Sequence, residues 1–277
     1  MPTTPTAYPD VATREEWLAA RKKLLARERE VTHLRDAVNA ERRRLPMVKV
    51  EKDYVFEGPD GELRLIDMFE GHPQLYIHHF MWIDAVDKGC PSCTMAADLT
   101  FTEKDRALLD AKGVTFAAVS RAPYASIAGY KAEHAWTFPW YSSRDNDFTY
   151  DYHVTLDPAR APIEYNYKSV DELHADGLTD DVLRGDWPGA SVFLRREDEV
   201  FHTYSAFARG LDHSAPGYPF LDLTPYGRQE KWEDSPAGWP QGTDAVGVPM
   251  DDERSRRSKR WAGAGPAGRI MSCCGCG

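Results

Sequence analysis

Residues 75–100 read LYIHHFMWIDAVDKGCPSCTMAADLT, and their reading decides the fold. Leu75 to Phe80 is a short, largely apolar run of strand length. A polar loop follows, and then Cys90-Pro-Ser-Cys93 opens a segment with helical composition. Pro91 suits the first turn of a helix, where its missing N–H would have no intrahelical acceptor. Cys90 and Cys93 are the only cysteines in the first 272 residues. A close pair of this kind is more often catalytic or metal-binding than structural in a reducing compartment.

Working outward, Gly113 ends the helical segment and Val114 to Ser120 (VTFAAVS) reads as a strand covered on both faces. Pro123 to Trp136 reads as an amphipathic helix, and Phe138 to Tyr141 as the start of another strand. Strand–helix–strand–helix order predicts a parallel α/β unit. Residues 142–187 are rich in Asp, Tyr and Asn and read as an insertion with short elements at Phe148 to His153 and Ile163 to Lys168. Ser191 to Arg196 and Val200 to Tyr204 form a hairpin around Glu197-Asp198, which makes the sheet mixed. Leu211 to Leu223 closes the fold.

On the N-terminal side, residues 1–12 hold three prolines and three threonines and read as a disordered leader. Thr13 and Glu16 fit a capping box for a helix within 13–46. Trp17, Leu24, Val31, Val38 and Leu45 recur every seven residues, beside Leu18, Leu25 and Leu34. One apolar stripe on so charged a helix calls for packing by that face, on the domain or on a partner chain. Met47 to Phe56 reads as one strand, Gly58-Pro-Asp-Gly61 as a turn, and Leu63 to Ile66 as the returning strand. The domain proper spans 47–226. From Gly227 the chain turns to Pro, Gly and charge, so 227–277 is expected to be extended or disordered.

The 277 residues are 42% hydrophobic and 28% charged, enough for a sizeable core. The net charge of −10 argues against general nucleic-acid binding, which needs clustered Lys and Arg. The basic run Arg254 to Arg260 is the exception and reads as a solvated tail segment. No apolar run is long enough to span a bilayer, and the N-terminus lacks the basic and apolar regions of a signal peptide. A cytoplasmic location is expected.

Two cysteines three apart on a helix share a face, with Cα atoms about 5–6 Å apart, inside the range a disulfide tolerates. At a helix start the dipole and free N–H groups favour a thiolate, lowering the first thiol from about 8.5 toward neutrality. Cys90 is then the expected nucleophile and Cys93 the resolving thiol. Lys88 favours that thiolate and Asp87 opposes it, both from solvent. Zinc needs four ligands, of which this pair supplies two; Cys273, Cys274 and Cys276 in the tail could add soft ligands or act as a mobile dithiol. His78 and His79 point to opposite faces of their strand, so only one can aim at the sulfurs. That one is either a hydrogen-bonded core histidine, a proton acceptor for Cys93, or a metal ligand. Tyr150, Tyr152, Tyr165 and Tyr167 pack or wall a substrate.

The segments TREEWLAARKKLLARERE, RRRLPMVKVEKDYVFEGPDG, HHFMW, KGCPSC, VSRAP, WTFPWYSS, SVFLRREDEVFHTYSAFARGLD and LDLTPYGR, spread over residues 13–230, resemble an uncharacterised bacterial thioredoxin-like family. It is related to the alkyl hydroperoxide reductase and thiol-specific antioxidant group. The resemblance implies an α/β, thioredoxin-like mixed sheet with flanking helices. It carries no established reaction. The peroxiredoxin pattern Pro-x-x-x-Thr-x-x-Cys would put Pro and Thr where this chain has Ile83 and Asp87. Thioredoxins place a cis-proline just before the strand facing the site, where this chain has Ala190, with Pro188 nearby. The expectation is therefore a thiol–disulfide oxidoreductase with no bound cofactor, served by an external small-thiol or protein reductant. The alternatives are a zinc- or copper-binding protein without turnover, and an inert scaffold. Neither nucleic acid nor membrane is an expected partner, and the N-terminal helix is a candidate oligomer contact.

Overall fold

The computed structural model describes residues 7–230 and 232–240. Helix α1 (Arg14–Arg42) starts with the expected capping box: Glu16 N–H donates to Thr13 Oγ1 at 3.3 Å, and Thr13 N–H donates to Glu16 Oε2 at 2.9 Å. The stripe it carries does not pack on the domain. No residue of α1 is buried: Trp17, Leu18, Leu24, Val31, Leu34 and Val38 are exposed, and Leu25 is only part-buried.

Eight strands form one mixed sheet: β1 (Val48–Lys49), β2 (Val55–Gly58), β3 (Gly61–Arg64), β4 (Gln74–His79), β5 (Val114–Ser120), β6 (Trp140–Ser142), β7 (Gly189–Arg196) and β8 (Glu199–Phe207). Their spatial order is β1-β8-β7-β4-β5-β6-β2-β3. Only β4–β5 and β5–β6 are parallel. Those parallel pairs are connected by helices, as a parallel crossover requires: α2 (Pro91–Thr100) and α3 (Glu103–Asp110) join β4 to β5, and α4 (Tyr124–Glu133) joins β5 to β6. The hairpin β7–β8 adds antiparallel to β4, with Ala190 opposite His78 and Gly189 opposite His79.

Two expectations for this framework need correction. Met47 to Phe56 is not one strand: β1 and β2 lie near opposite edges of the sheet. The break falls at Glu51-Lys52-Asp53, three consecutive exposed residues that offer the core nothing. Tyr54 then turns inward and donates its hydroxyl to Asp151 at 2.6 Å. The helix after Cys90 is also two helices. Thr102 caps α3 through Asp105, a second capping box whose T-x-x-D signal lies in the sequence.

The central strands alternate between two cores. Leu75 and Ile77 of β4, with Ala117 and Val119 of β5, face a cluster holding Phe56, Phe69, Phe148 and Phe193. Phe116 and Ala118 face the other way, into a cluster with Phe80, Trp82, Phe138 and Trp140 that also contains both cysteines. Burying a large side chain here is worth about 1.5–3 kcal/mol. Beyond β8 come a 3-10 turn (Ala208–Ser214), whose Leu211 packs with Ala190 and Ala206 in a smaller cluster, and a short helix (Tyr218–Leu221). Residues 227–230 and 232–240 are irregular but tied down: Arg228 bonds Asp222 at 2.7 and 2.8 Å and Asp212 at 2.8 Å. The expectations for residues 1–6 and 241–277, including the basic run and Cys273, Cys274 and Cys276, lie outside the described residues.

Candidate functional site

Strand β4 runs through Phe80 and Met81 into a tight hairpin, Trp82–Ile83 against Lys88–Gly89, which delivers the chain to Cys90. Asp87 sits at its bend with φ 50°, a left-handed conformation that Asp tolerates. Its carboxylate accepts from Trp82 Nε1 at 3.2 Å and from Ser126 Oγ at 2.9 Å. Asp87 is thus exposed, as expected, and also braces the hairpin against α4. Gly89 is required by space: a Cβ there would lie 2.8 Å from Phe80 Cε1 and 2.9 Å from Tyr130 Cε1.

Cys90 is the N-cap of α2, and Pro91 occupies the first helical position. The Cys90 N–H donates to Met81 O at 3.0 Å. Its carbonyl accepts from both the N–H and the hydroxyl of Thr94, each at 2.9 Å, and Thr94 Oγ1 also meets Tyr130 OH at 2.9 Å. The helix start is therefore fixed by backbone and side chain together. Cys93 follows one turn on, and both cysteines are present as thiols with 3% and 4% exposure. Large disulfides have no direct path to either sulfur at that burial.

A small cavity of about 60 Å³ lies beside Cys93, lined also by His78, Ser92, Pro188, Leu211 and Tyr218. No cis peptide occurs among the described residues. Pro188 nevertheless reaches the cavity from the segment before β7, where Tyr165 OH donates to its carbonyl at 2.8 Å.

The two histidines divide between the faces. His78 lies on the cysteine side, its ring 4.8 Å from Phe101 and 6.1 Å from Phe80. Neither ring nitrogen has a hydrogen-bond partner among the described residues. Burial, reinforced by His213, lowers its pKa to about 3, so it is neutral at physiological pH. His79 lies on the other face against Phe148. Its Nε2 meets Ser191 Oγ at 2.8 Å, Ser191 meets Ser205 at 2.8 Å, and Ser205 meets His202 Nε2 at 2.8 Å. Burial likewise lowers His79 to about 3, with His78 and His202 adding to the effect.

Outside the hairpin is a polar cleft of about 610 Å³ that the sequence reading missed, lined by Asp84, Asp87, Arg121, Ser126, Arg144 and Asp145. Arg121 comes directly after β5 and lies over the Tyr150 ring while bonding its hydroxyl. Asp186 accepts from Thr155 Oγ1 at 2.8 Å and pairs with Arg121 Nε at 3.7 Å. Burial pushes this carboxyl up to about 6, against the opposing pull of Thr155 and Arg121. The available signal was a lone Arg at the end of a nearly all-apolar strand. Of the four tyrosines, Tyr152 packs on Phe148 and Phe193, Tyr165 is buried, Tyr150 joins Arg121, and Tyr167 is largely exposed.

Zinc would need donors beyond the cysteine pair. Among the described residues, no group of three or more His, Cys, Asp or Glu side chains could hold a metal ion. Among the same residues, no helix is long and apolar enough to cross a membrane.

The parallel β4–helix–β5 unit, the antiparallel β7–β8 hairpin beside it and a cysteine-capped helix define a thioredoxin-like α/β protein. The chain belongs to the family described as bacterial protein of unknown function (DUF899), whose sequence pattern matches residues 6–251. Similar solved structures include peroxiredoxin Q from Xanthomonas campestris, 15% identical, covering 64% of this chain and 97% of that one with TM-score 0.41. Peroxidoxin BcpB from Mycobacterium tuberculosis is 13% identical, covering 62% and 93% with TM-score 0.37. A thiol peroxidase from Chromobacterium violaceum is 16% identical, covering 58% and 80% with TM-score 0.35. No curated protein matches the sequence.

Proposed function

We propose that the protein is a cytoplasmic thiol–disulfide oxidoreductase acting through Cys90 and Cys93. The observation that carries this reading is the placement of Cys90 as the N-cap of α2 with Cys93 one turn later on the same helix. The dipole of the helix stabilises an anion at that position. In the first step the Cys90 thiolate attacks one sulfur of a substrate disulfide, forming a mixed disulfide and releasing one substrate thiolate. The Cys93 thiolate then attacks the Cys90 sulfur, closing the Cys90–Cys93 bond and releasing the second substrate thiolate. The protons lost by Cys90 and Cys93 end on the two released thiols. Two electrons pass from the protein to the substrate, and an external thiol restores the dithiol by the reverse exchange.

Burial of both sulfurs favours small disulfides and small thiol reductants over protein partners. Peroxide reduction is not part of the reading, because Ile83 and Asp87 supply no hydroxyl to the approach, and Asp87 is engaged with Trp82 and Ser126.

Equilibration of the full chain in glutathione buffers of graded ratio, followed by peptide-level mass spectrometry, tests the proposal. A bond between Cys90 and Cys93 should appear and disappear reversibly with the ratio, and Cys90→Ser should abolish it. Absence of that bond at every ratio, with Cys90 and Cys93 still alkylated as thiols after denaturation, would remove the reading.

A further inference from the structure

The 29 residues of α1 form a helix about 43 Å long at 1.5 Å per residue, yet none is buried. Most of a helix's stability in proteins comes from packing an apolar face. Here that face is bare. Trp17 is 48% exposed, Leu24 51%, Val31 64% and Leu34 64%, in line with Val38 and, just past the helix, Leu45. Among the described residues, part-burial on α1 falls at Arg21, Leu25, Glu28, Asn39 and Ala40, off the Trp17–Leu24–Val31–Val38 line, and Arg42 lies over the Tyr204 ring at 4.8 Å.

We propose that α1 is a dimerisation helix, and that the surface covering its stripe is α1 of a second copy, parallel and in register. Three observations choose this occupant. First, Trp17, Leu24, Val31 and Val38 repeat at a strict interval of seven, the period that wraps two helices around one seam. Second, six large apolar residues on one line, Trp17, Leu24, Val31, Leu34, Val38 and Leu45, are each 42% to 64% exposed, a continuous run and not the single scattered apolar residues normal on a monomer's surface.

Third, the charges flanking the seam match themselves. With the repeat set by Trp17, each residue just before a seam position faces the residue five further on in the other copy. Glu16 then meets Arg21 of the second copy, Lys23 meets Glu28, and Glu30 meets Arg35. All three pairs are of opposite charge, and Ala37 faces Arg42 without conflict. The antiparallel arrangement would instead bring Glu30 onto Glu30, or Arg21 onto Arg42. Arg21 and Glu28 bond each other within one chain at 2.8 Å and retain 38% and 42% side-chain exposure, although Arg21 Nη1 itself is buried.

The second seam line is mixed, with Ala20 and Leu34 apolar but Arg27 and Glu41 charged. This fits a reversible dimer and not a permanent one. The surface is separate from the cysteine site, so the proposal stands or falls independently of redox activity.

Sedimentation equilibrium of the full chain reads the mass directly. The expected result is a reversible dimer of the 31.3 kDa chain at micromolar to tens-of-micromolar concentration. Reversing one flank (Lys23→Glu with Glu30→Lys) or the other (Glu28→Lys with Arg35→Glu) should each weaken the dimer by about tenfold or more. An equimolar mixture of the two variants should restore it, because the heterodimer regains opposite charges on both sides. A wild-type monomer at 100 μM and below would overturn the proposal. So would variants that dimerise as well as wild type, or a mixture that stays monomeric while circular dichroism shows both chains folded.

Discussion

Lowering the pH from 7 to 5 should destabilise the protein through two imidazoles that lie nowhere near its surface. His78 and His79 each bind a proton near pH 6.5 when unfolded but only near about 3 when folded, because burial penalises the charged ring. Between those values the unfolded chain holds more protons than the folded one, so stability falls as the pH drops. The loss begins near pH 6.5 and levels off below about 3. At pH 5 linkage assigns each histidine a loss of about 2 kcal/mol relative to pH 7. Asp186 works in the opposite sense. Its folded value of about 6 lies above the carboxylate reference of 3.8, so the folded chain takes up a proton first. That returns about 1 kcal/mol at pH 5. The histidines win, and the net loss is about 3 kcal/mol, a large share of a typical folding free energy. Urea midpoints at pH 7, 6 and 5 measure it. His78→Leu fills the same apolar surroundings of Phe80 and Phe101 and should remove about half of the histidine loss, while Asp186→Asn should deepen the net loss. A wild type equally stable at pH 5 and 7 would refute the reasoning. So would a His78→Leu variant with the full wild-type slope.

Two substitutions probe the framework around the cysteines. Gly89→Ala places a methyl within 3 Å of the Phe80 and Tyr130 rings, so it should cost about 1–3 kcal/mol in a denaturant melt and slow Cys90–Cys93 bond formation by shifting the N-cap. Ser191→Ala cuts the chain from His79 to His202 at its centre and leaves His79 Nε2 without its partner. A loss of about 1–3 kcal/mol by thermal melting is expected, with the redox behaviour of the cysteine pair unchanged because His79 faces the other core.

The cysteine-capped helix, the buried β5 strand and the capping box of α1 were legible in the sequence because each rests on contacts within a few residues. Cys90 sets the cap, Pro91 the first turn and Thr13 its own helix start, all by local hydrogen bonding and backbone preference. The opposite facing of His78 and His79 was equally legible, since alternation along a strand needs no knowledge of its neighbours. What each face met was not legible. His79 bonded to Ser191 depends on β7 lying beside β4, a pairing between segments more than a hundred residues apart.

The separation of Met47 to Phe56 into β1 and β2, the brace formed by Asp87 and the cleft around Arg121 have the same origin. Each is decided by which distant segment competes for a side chain once the sheet closes. The stripe on α1 is the reverse case. Its seven-residue period is written in the sequence, but a period specifies only that a face wants cover. That the protein's own domain leaves this face bare was decided by the tertiary structure, where the chain folds its two cores around β4 and β5 and keeps α1 outside both.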